Sequence, residues 1–346
     1  MRSLIALLFL VSVSTTQQWK HVPVASSAGF RGLSVLNNNV VWASGTDGTV
    51  IRTTDDGKNW SVMTVPGAER LDFRGIHAFD ASRAVIMSSG PAEKGQARIY
   101  RTTDSGAHWT KAFEEERKGI FFDAIAFWDH KHGIVLSDPV DGRFVLFVTQ
   151  DAGATWKQIP PSALPPSLPN EGAFAASNSC VVVHGKSDVW FATGGANVAR
   201  VFHSGDRGKT WTVAETPMHP KNSSSGIFSL AFVNNKEGVA VGGDYQHPES
   251  SELANVLRTH DGGGTWEALP PTHPAGIYFS SVVLDRNRII AAGIKGIWTY
   301  SEPSRGEPGV WRQESTENLN TVGVGHHHEV WAVGPKGVVL KMSSGE

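Results

Sequence analysis

Short apolar runs alternate with polar, Gly-bearing turns along almost the whole chain, the pattern of strands joined by tight connections. Runs such as Val40-Val41-Trp42-Ala43, Val189-Trp190-Phe191, Val239-Ala240-Val241 and Val330-Trp331-Ala332 are β-branched or aromatic. A second run follows each after a loop that bears Gly, as in Thr49-Val50-Ile51 and Gly337-Val338-Val339-Leu340. Another precedes it, as in Leu33-Ser34-Val35, Ile76-His77-Ala78-Phe79, Ile125-Ala126-Phe127 and Leu230-Ala231-Phe232. A polar turn ending in Trp then opens a fourth strand. Four antiparallel strands in roughly 47 residues make one unit of a radial repeat, a propeller blade.

The polar turns count the blades. Five read [ST]-x-D-x-G-x-[TNH]-W, with Asp55, Asp104, Asp151, Asp206 and Asp261 at the acidic position. They end in Trp60, Trp109, Trp156, Trp211 and Trp266, at spacings of 49, 47, 55 and 55. A sixth, degenerate unit ends at Trp311, and a seventh is split between residues 341–346 and Trp19. The Asp carboxylate and the Ser/Thr hydroxyl can satisfy N–H groups within the turn, and Gly supplies positive φ. Each carboxylate is therefore used within its own turn. The expectation is all-β: a seven-bladed β-propeller of four-stranded antiparallel blades, closed by the N-terminal strand joining the C-terminal blade.

Ahead of the repeats, Met1-Arg2 is followed by an apolar run over residues 4–13 and small residues to Thr16. This predicts a signal peptide over 1–16, cleaved after Ser14 or Thr16, with one propeller domain over 17–346. The run falls short of the ~20 residues a membrane span needs, so no stable span is expected. The protein is expected to be secreted or periplasmic, and monomeric.

Composition narrows the function. A net charge of −2 provides no basic field for nucleic acid or an anionic membrane. The one cysteine, Cys180, excludes an internal disulfide framework and any Cys-rich metal site. Twelve Trp against four Tyr reflect the repeat markers. His326-His327-His328 falls at a strand connection and is expected to be a solvated turn, not a metal site. Gly194 to Arg200 has no following helix, so it is not a dinucleotide loop. The Pro-rich residues 160–169 predict a stiff loop folded over the propeller face.

The chain resembles the Asp-box, or bacterial-neuraminidase-repeat, propellers in its five turns. Within them it resembles the Ycf48/Hcf136-like photosystem II assembly and stability factors. That second likeness rests on Phe30-Arg31-Gly32-Leu33, Val41-Trp42-Ala43-Ser44-Gly45-Thr46-Asp47-Gly48-Thr49-Val50, Arg52-Thr53-Thr54-Asp55, Ala124-Ile125-Ala126-Phe127 and Gly238-Val239-Ala240-Val241-Gly242-Gly243. The resemblance implies an exported or lumenal, cofactor-free protein that binds partner proteins; it implies a scaffold more strongly than a photosynthetic role. Sialidases share the turns, but their Phe-Arg-Ile-Pro motif is absent; Phe30-Arg31-Gly32-Leu33 and Phe73-Arg74-Gly75-Ile76 are the nearest strings.

Function should then sit in whatever the repeat does not require. Second-to-third connections are short in blades 1, 6 and 7 but long in blade 2 (88–97), blade 3 (137–143) and blade 5 (242–255); long connections tend to be functional or disordered. Aligning the first strands places Arg74, Asp123, Phe228, Ser280 and Asn320 at equivalent positions near the channel mouth, with Arg31 beside them. Candidate ligand- or partner-binding residues are Arg31, Arg74, Asp123, Asp138, Asp141, Glu171, Arg200, Asp244, Tyr245 and His247, with no catalytic or metal-binding residue assigned. The occupant expected on the loop face of blades 2–5 is a protein partner, with a glycan as alternative. In that alternative the protein is a sialidase- or glycosidase-like hydrolase using two of Asp123, Asp138, Asp141, Glu171 and Asp244, set ~5–5.5 or ~6.5–9.5 Å apart.

Overall fold

The computed structural model describes residues 18–249, 255–269, 276–301 and 309–343; the expected signal peptide lies outside them. Seven four-stranded antiparallel sheets form a ring, as the repeat count predicts. Blade 1 comprises Phe30–Val35, Val41–Gly45, Thr49–Thr53 and Ser61–Thr64, in that order from the axis outward. Inner strands of blades 2 to 7 are Phe73–Ala78, Phe122–Phe127, Val181–His184, Ser225–Phe232, Ser281–Asp285 and Thr321–Val324. These seven inner strands touch one another in a closed circle.

Second strands lie between two neighbours and beneath the next blade, so they are buried on both faces. Val41–Gly45 and Ala84–Ser88 are buried at every position. That is why the chain reads there as continuous apolar runs instead of strict alternation. The core is accordingly seven clusters, one per blade junction, with a small eighth formed by Ala176, Phe228 and Tyr278. Trp42 of blade 1, for example, packs with Phe73, Ile76 and Ile86 of blade 2, and Trp331 of blade 7 packs with Phe30, Val41 and Ile51 of blade 1. Each fully buried large side chain contributes roughly 1.5–3 kcal/mol, so the junctions hold the ring together.

Closure follows the expected route. In blade 7, Thr321–Val324, Val330–Val333 and Val339–Met342 are completed by Trp19–His21, with Trp19 opposite Met342 and His21 opposite Leu340. Trp19 also donates its indole N–H to Glu314 at 3.1 Å.

All five turns share one hydrogen-bond pattern. In blade 4, Asp206 Oδ1 accepts from the Ser204 hydroxyl and the Thr210 N–H, and Oδ2 accepts from the Thr210 hydroxyl at 2.6 Å. The Ser204 hydroxyl in turn accepts from the Gly208 N–H. Asn59, His108, Thr155 and Thr265 make the side-chain contact in the other blades, which explains the residue types preceding Trp. Two successive positive-φ residues shape each turn, for instance Arg207 (62°) and Gly208 (82°).

Three connections differ from expectation. The 137–143 loop is a strand extension: Gly133–Val140 and Arg143–Thr149 pair across a two-residue turn, Asp141 (φ 53°) and Gly142 (φ 75°). Pro139 interrupted the apparent strand, but it sits beside a bulge where no ladder N–H is needed. In blade 5 the strand runs on to Asp244, and residues 250–254 of its connection lie outside the described set. His328 is not simply solvated, because its Nδ1 lies 2.6 Å from the buried Asp285. The Pro-rich segment packs down through Leu164, which joins the core between blades 3 and 4.

Candidate functional site

Four inner strands carry the same irregularity at the same place. Register shifts fall between Phe30 and Gly32, Phe73 and Gly75, Phe122 and Ala124, and Ile227 and Ser229. The extra residues are Arg31, Arg74, Asp123 and Phe228. A bulge re-aims its side chain away from the sheet; here all four line one cavity of about 550 Å³ at the mouth of the ring. Ser280 and Asn320, just ahead of the inner strands of blades 6 and 7, complete its wall, together with Asp138, Tyr245 and Tyr278.

The segment 172–178, between the Pro-rich loop and the inner strand of blade 4, crosses the channel and gives the cavity a floor. Arg31 Nη1 donates to the Ala176 carbonyl at 3.0 Å and Arg74 Nη1 to that of Ala175 at 3.2 Å. The Ala173 N–H donates to Asp138 Oδ1 at 3.0 Å. Asn178 pairs with the backbone N–H and carbonyl of Ile125, at 2.8 and 3.1 Å. It fits because Gly75 has no side chain: a Cβ there would lie 2.8 Å from Asn178 Oδ1. Ser177 donates to the Ser280 carbonyl, and Phe174 stacks on Phe228 with centroids 3.9 Å apart. The segment is thus tied to blades 1, 2, 3, 5 and 6.

Electrostatics in the cavity are strained. Asp123 is 1% exposed, and its Oδ2 has no hydrogen-bond partner. Burial, then the neighbouring Asp138, push its carboxyl well above the usual carboxylate range, with Arg74 opposing. Burial raises Asp138 to about 6, against the pull of the Ala173 N–H. Arg31 is lowered by burial and by the adjacent Arg74. Arg74 pairs with Asp72, Nε to Oδ2 at 2.7 Å. The Tyr278 hydroxyl is pushed up by burial, so it stays protonated.

Among the candidates named from sequence, Arg31, Arg74, Asp123, Asp138 and Tyr245 line this cavity. The others do not. Glu171 and Arg200 form a buried two-bond ion pair, reinforced by the Thr193 hydroxyl and the Pro166 carbonyl, and pin the Pro-rich loop. Asp141 is exposed at its turn. Asp244 is engaged by Ser224 and Asn222, just ahead of the inner strand of blade 5, and by His247 of its own loop; burial raises its pKa but these hydrogen bonds outweigh it and hold it low. Phe174, Ala175, Ala176, Tyr278 and Ile294 line the cavity but escaped the sequence reading. The one hint of the crossing segment was the longer 55-residue spacing from Trp156 to Trp211.

No family model matches the chain, and no curated protein matches it. Solved structures do. "YCF48 bound to D1 peptide" superposes with a TM-score of 0.64 at 14% identity, over 97% of this chain and all of that one. "YCF48 from Cyanidioschyzon merolae" gives 0.64 at 17% identity, over 94% and 98% of the two chains. A streptogramin B lyase gives 0.63 at 13% identity, over 94% and 97%. Likeness at this level, shared by binding proteins and an enzyme alike, shows the propeller fold.

Proposed function

We propose that the protein is an exported, non-catalytic platform that captures a segment of a partner protein in the central cavity, in the manner of a Ycf48/Hcf136-like assembly or stability factor. The observation that carries this is the set of four bulges aimed into one floored cavity, an arrangement that blade packing does not require. The solved neighbour with a bound peptide supports it. A rigid, preorganised cavity loses little on binding, which favours recognition of an extended segment. The test is affinity capture from an exported fraction with the wild-type protein and with an Arg31→Ala/Arg74→Ala pair. A reproducible partner held by the first and lost by the second is expected. Retention of every partner by the double variant overturns the reading.

One observation favours an enzyme instead: Asp123 and Asp138 both hold their protons more tightly than ordinary carboxyls, as general acids do. Turnover of any member of a glycan library that is lost in Asp138→Asn would establish that alternative.

A further inference from the structure

The cavity wall carries basic and acidic side chains, and Arg74 takes its carboxylate partner, Asp72, from outside that wall. Arg31 and Arg74 enter from blades 1 and 2, and Asp123 and Asp138 from blade 3. Among the described residues, no ion pair joins either arginine to either aspartate. The crossing segment keeps them apart: its Ala175 and Ala176 carbonyls take the guanidiniums, and its Ala173 N–H takes Asp138. Arg31 has no carboxylate partner among the described residues, and Asp123 Oδ2, fully buried on the cavity wall, has no hydrogen-bond partner. A buried charge or polar atom left in this state is costly unless something completes it. The same wall carries an aromatic cluster: Phe174 on Phe228, with Tyr278 edge-on at 4.8 Å.

We propose that the cavity is a receptor for a dipolar ligand, with a carboxylate seated on Arg31 and Arg74, an ammonium or guanidinium on Asp123 and Asp138, and an apolar body against Phe174, Phe228 and Tyr278. This deepens the partner-capture reading by naming what the captured segment carries: a basic and an acidic side chain flanking an apolar one. Guanidinium forks suit a carboxylate, which can take two parallel bonds from them. A cation that brings its own donors suits these acids, because Asp123 Oδ2 has none and Asp138 takes one from the Ala173 N–H. The cavity volume lies within the ~300–1,000 Å³ of ordinary ligand pockets.

A free zwitterion offers the same chemistry as a peptide, so the experiment carries both. Isothermal titration of the full chain uses the end-blocked peptide Ac-Lys-Leu-Glu-NH2, its Lys→Gln and Glu→Gln relatives, the doubly neutral peptide, and ε-aminocaproate. The doubly charged peptide is expected to bind about tenfold or more tighter than either singly charged one, the scale set by one charge-assisted contact. Asp138→Asn should abolish the preference for Lys over Gln and keep that for Glu over Gln; Arg31→Met should do the reverse. Binding of ε-aminocaproate alone assigns the dipolar site to a small molecule and removes the peptide as its occupant. Equal affinity for charged and neutral peptides, or no binding by any probe, overturns the proposal. The partner-capture reading then stands or falls separately, on whether the arginine pair is still needed to hold a protein. Melting curves of both variants confirm that they fold.

Discussion

Arg31, Arg74 and Asp123 occupy the one position per inner strand that the ladder leaves unpaired, which is why polar side chains survive there inside an apolar ring. Aligning the repeats was enough to find Arg74, Asp123 and Phe228, since the bulge recurs in step with the blade period. Phe174 and Tyr278 were not legible in this way, because they precede their strands and follow no period. Asp138 carries a pH consequence. Its folded carboxyl sits near 6 against an ordinary 3.8, so the fold favours the protonated form. The stability linked to that proton is whole below the ordinary range and is lost as pH rises through 6. Asp138→Asn keeps the acceptor for the Ala173 N–H and removes the charge. It should stabilise the protein at pH 8 by roughly 2 kcal/mol, after discounting for partial exposure, with no gain at pH 3.5. Thermal melts at the two pH values check this; an equal effect at both contradicts it.

Among the elements, the Trp-terminated turns were the most legible, because each is a local hydrogen-bond circuit written in eight consecutive residues. Asp206 illustrates its strength: burial works against ionisation, yet hydrogen bonds from Thr210 and Ser204 bring its pKa down to about 2. That contribution is present above the usual carboxylate range and is lost only as pH falls through about 2. Asp206→Ala strands the donors of Ser204 and Thr210 and should cost about 1–3 kcal/mol, read as a lower denaturation midpoint with unchanged slope. The 137–143 connection was the least legible element. Its polar composition resembles a loop, but backbone pairing across Asp141-Gly142 depends on φ signs that composition conceals. The crossing segment lay hidden for another reason: its partners are side-chain and backbone groups on five other blades, and no local pattern encodes them.

At the scale of the whole molecule, closure rests on three residues. Trp19–His21 cover the outer edge of Val339–Met342, and the junction core between blades 6 and 7 takes in Trp19 with Leu340 and Met342. Deleting residues 18–21 should expose that edge, lower the melting temperature by several degrees, and produce concentration-dependent association, since an open strand recruits another chain. Size-exclusion chromatography over a dilution series reads the second effect; a deletion variant that remains monomeric and equally stable refutes it. The seven-fold count and the closing strand were both legible, because Trp markers and spacing survive even where the repeat degenerates at Trp311.

The pairing of Gln18 with Ser343, 325 residues apart, also imposes an order in time. A ribosome delivers the closing strand first and its partner last, so six blades can form while the seventh is still incomplete. Until then the emerging chain carries a free sheet edge and an open core face, held together only by neighbours made in succession. Bringing such distant positions together is slow, because the entropy of the intervening loop must be surmounted before any contact rewards it. The ring is therefore closed only when the last strand has paired with the first.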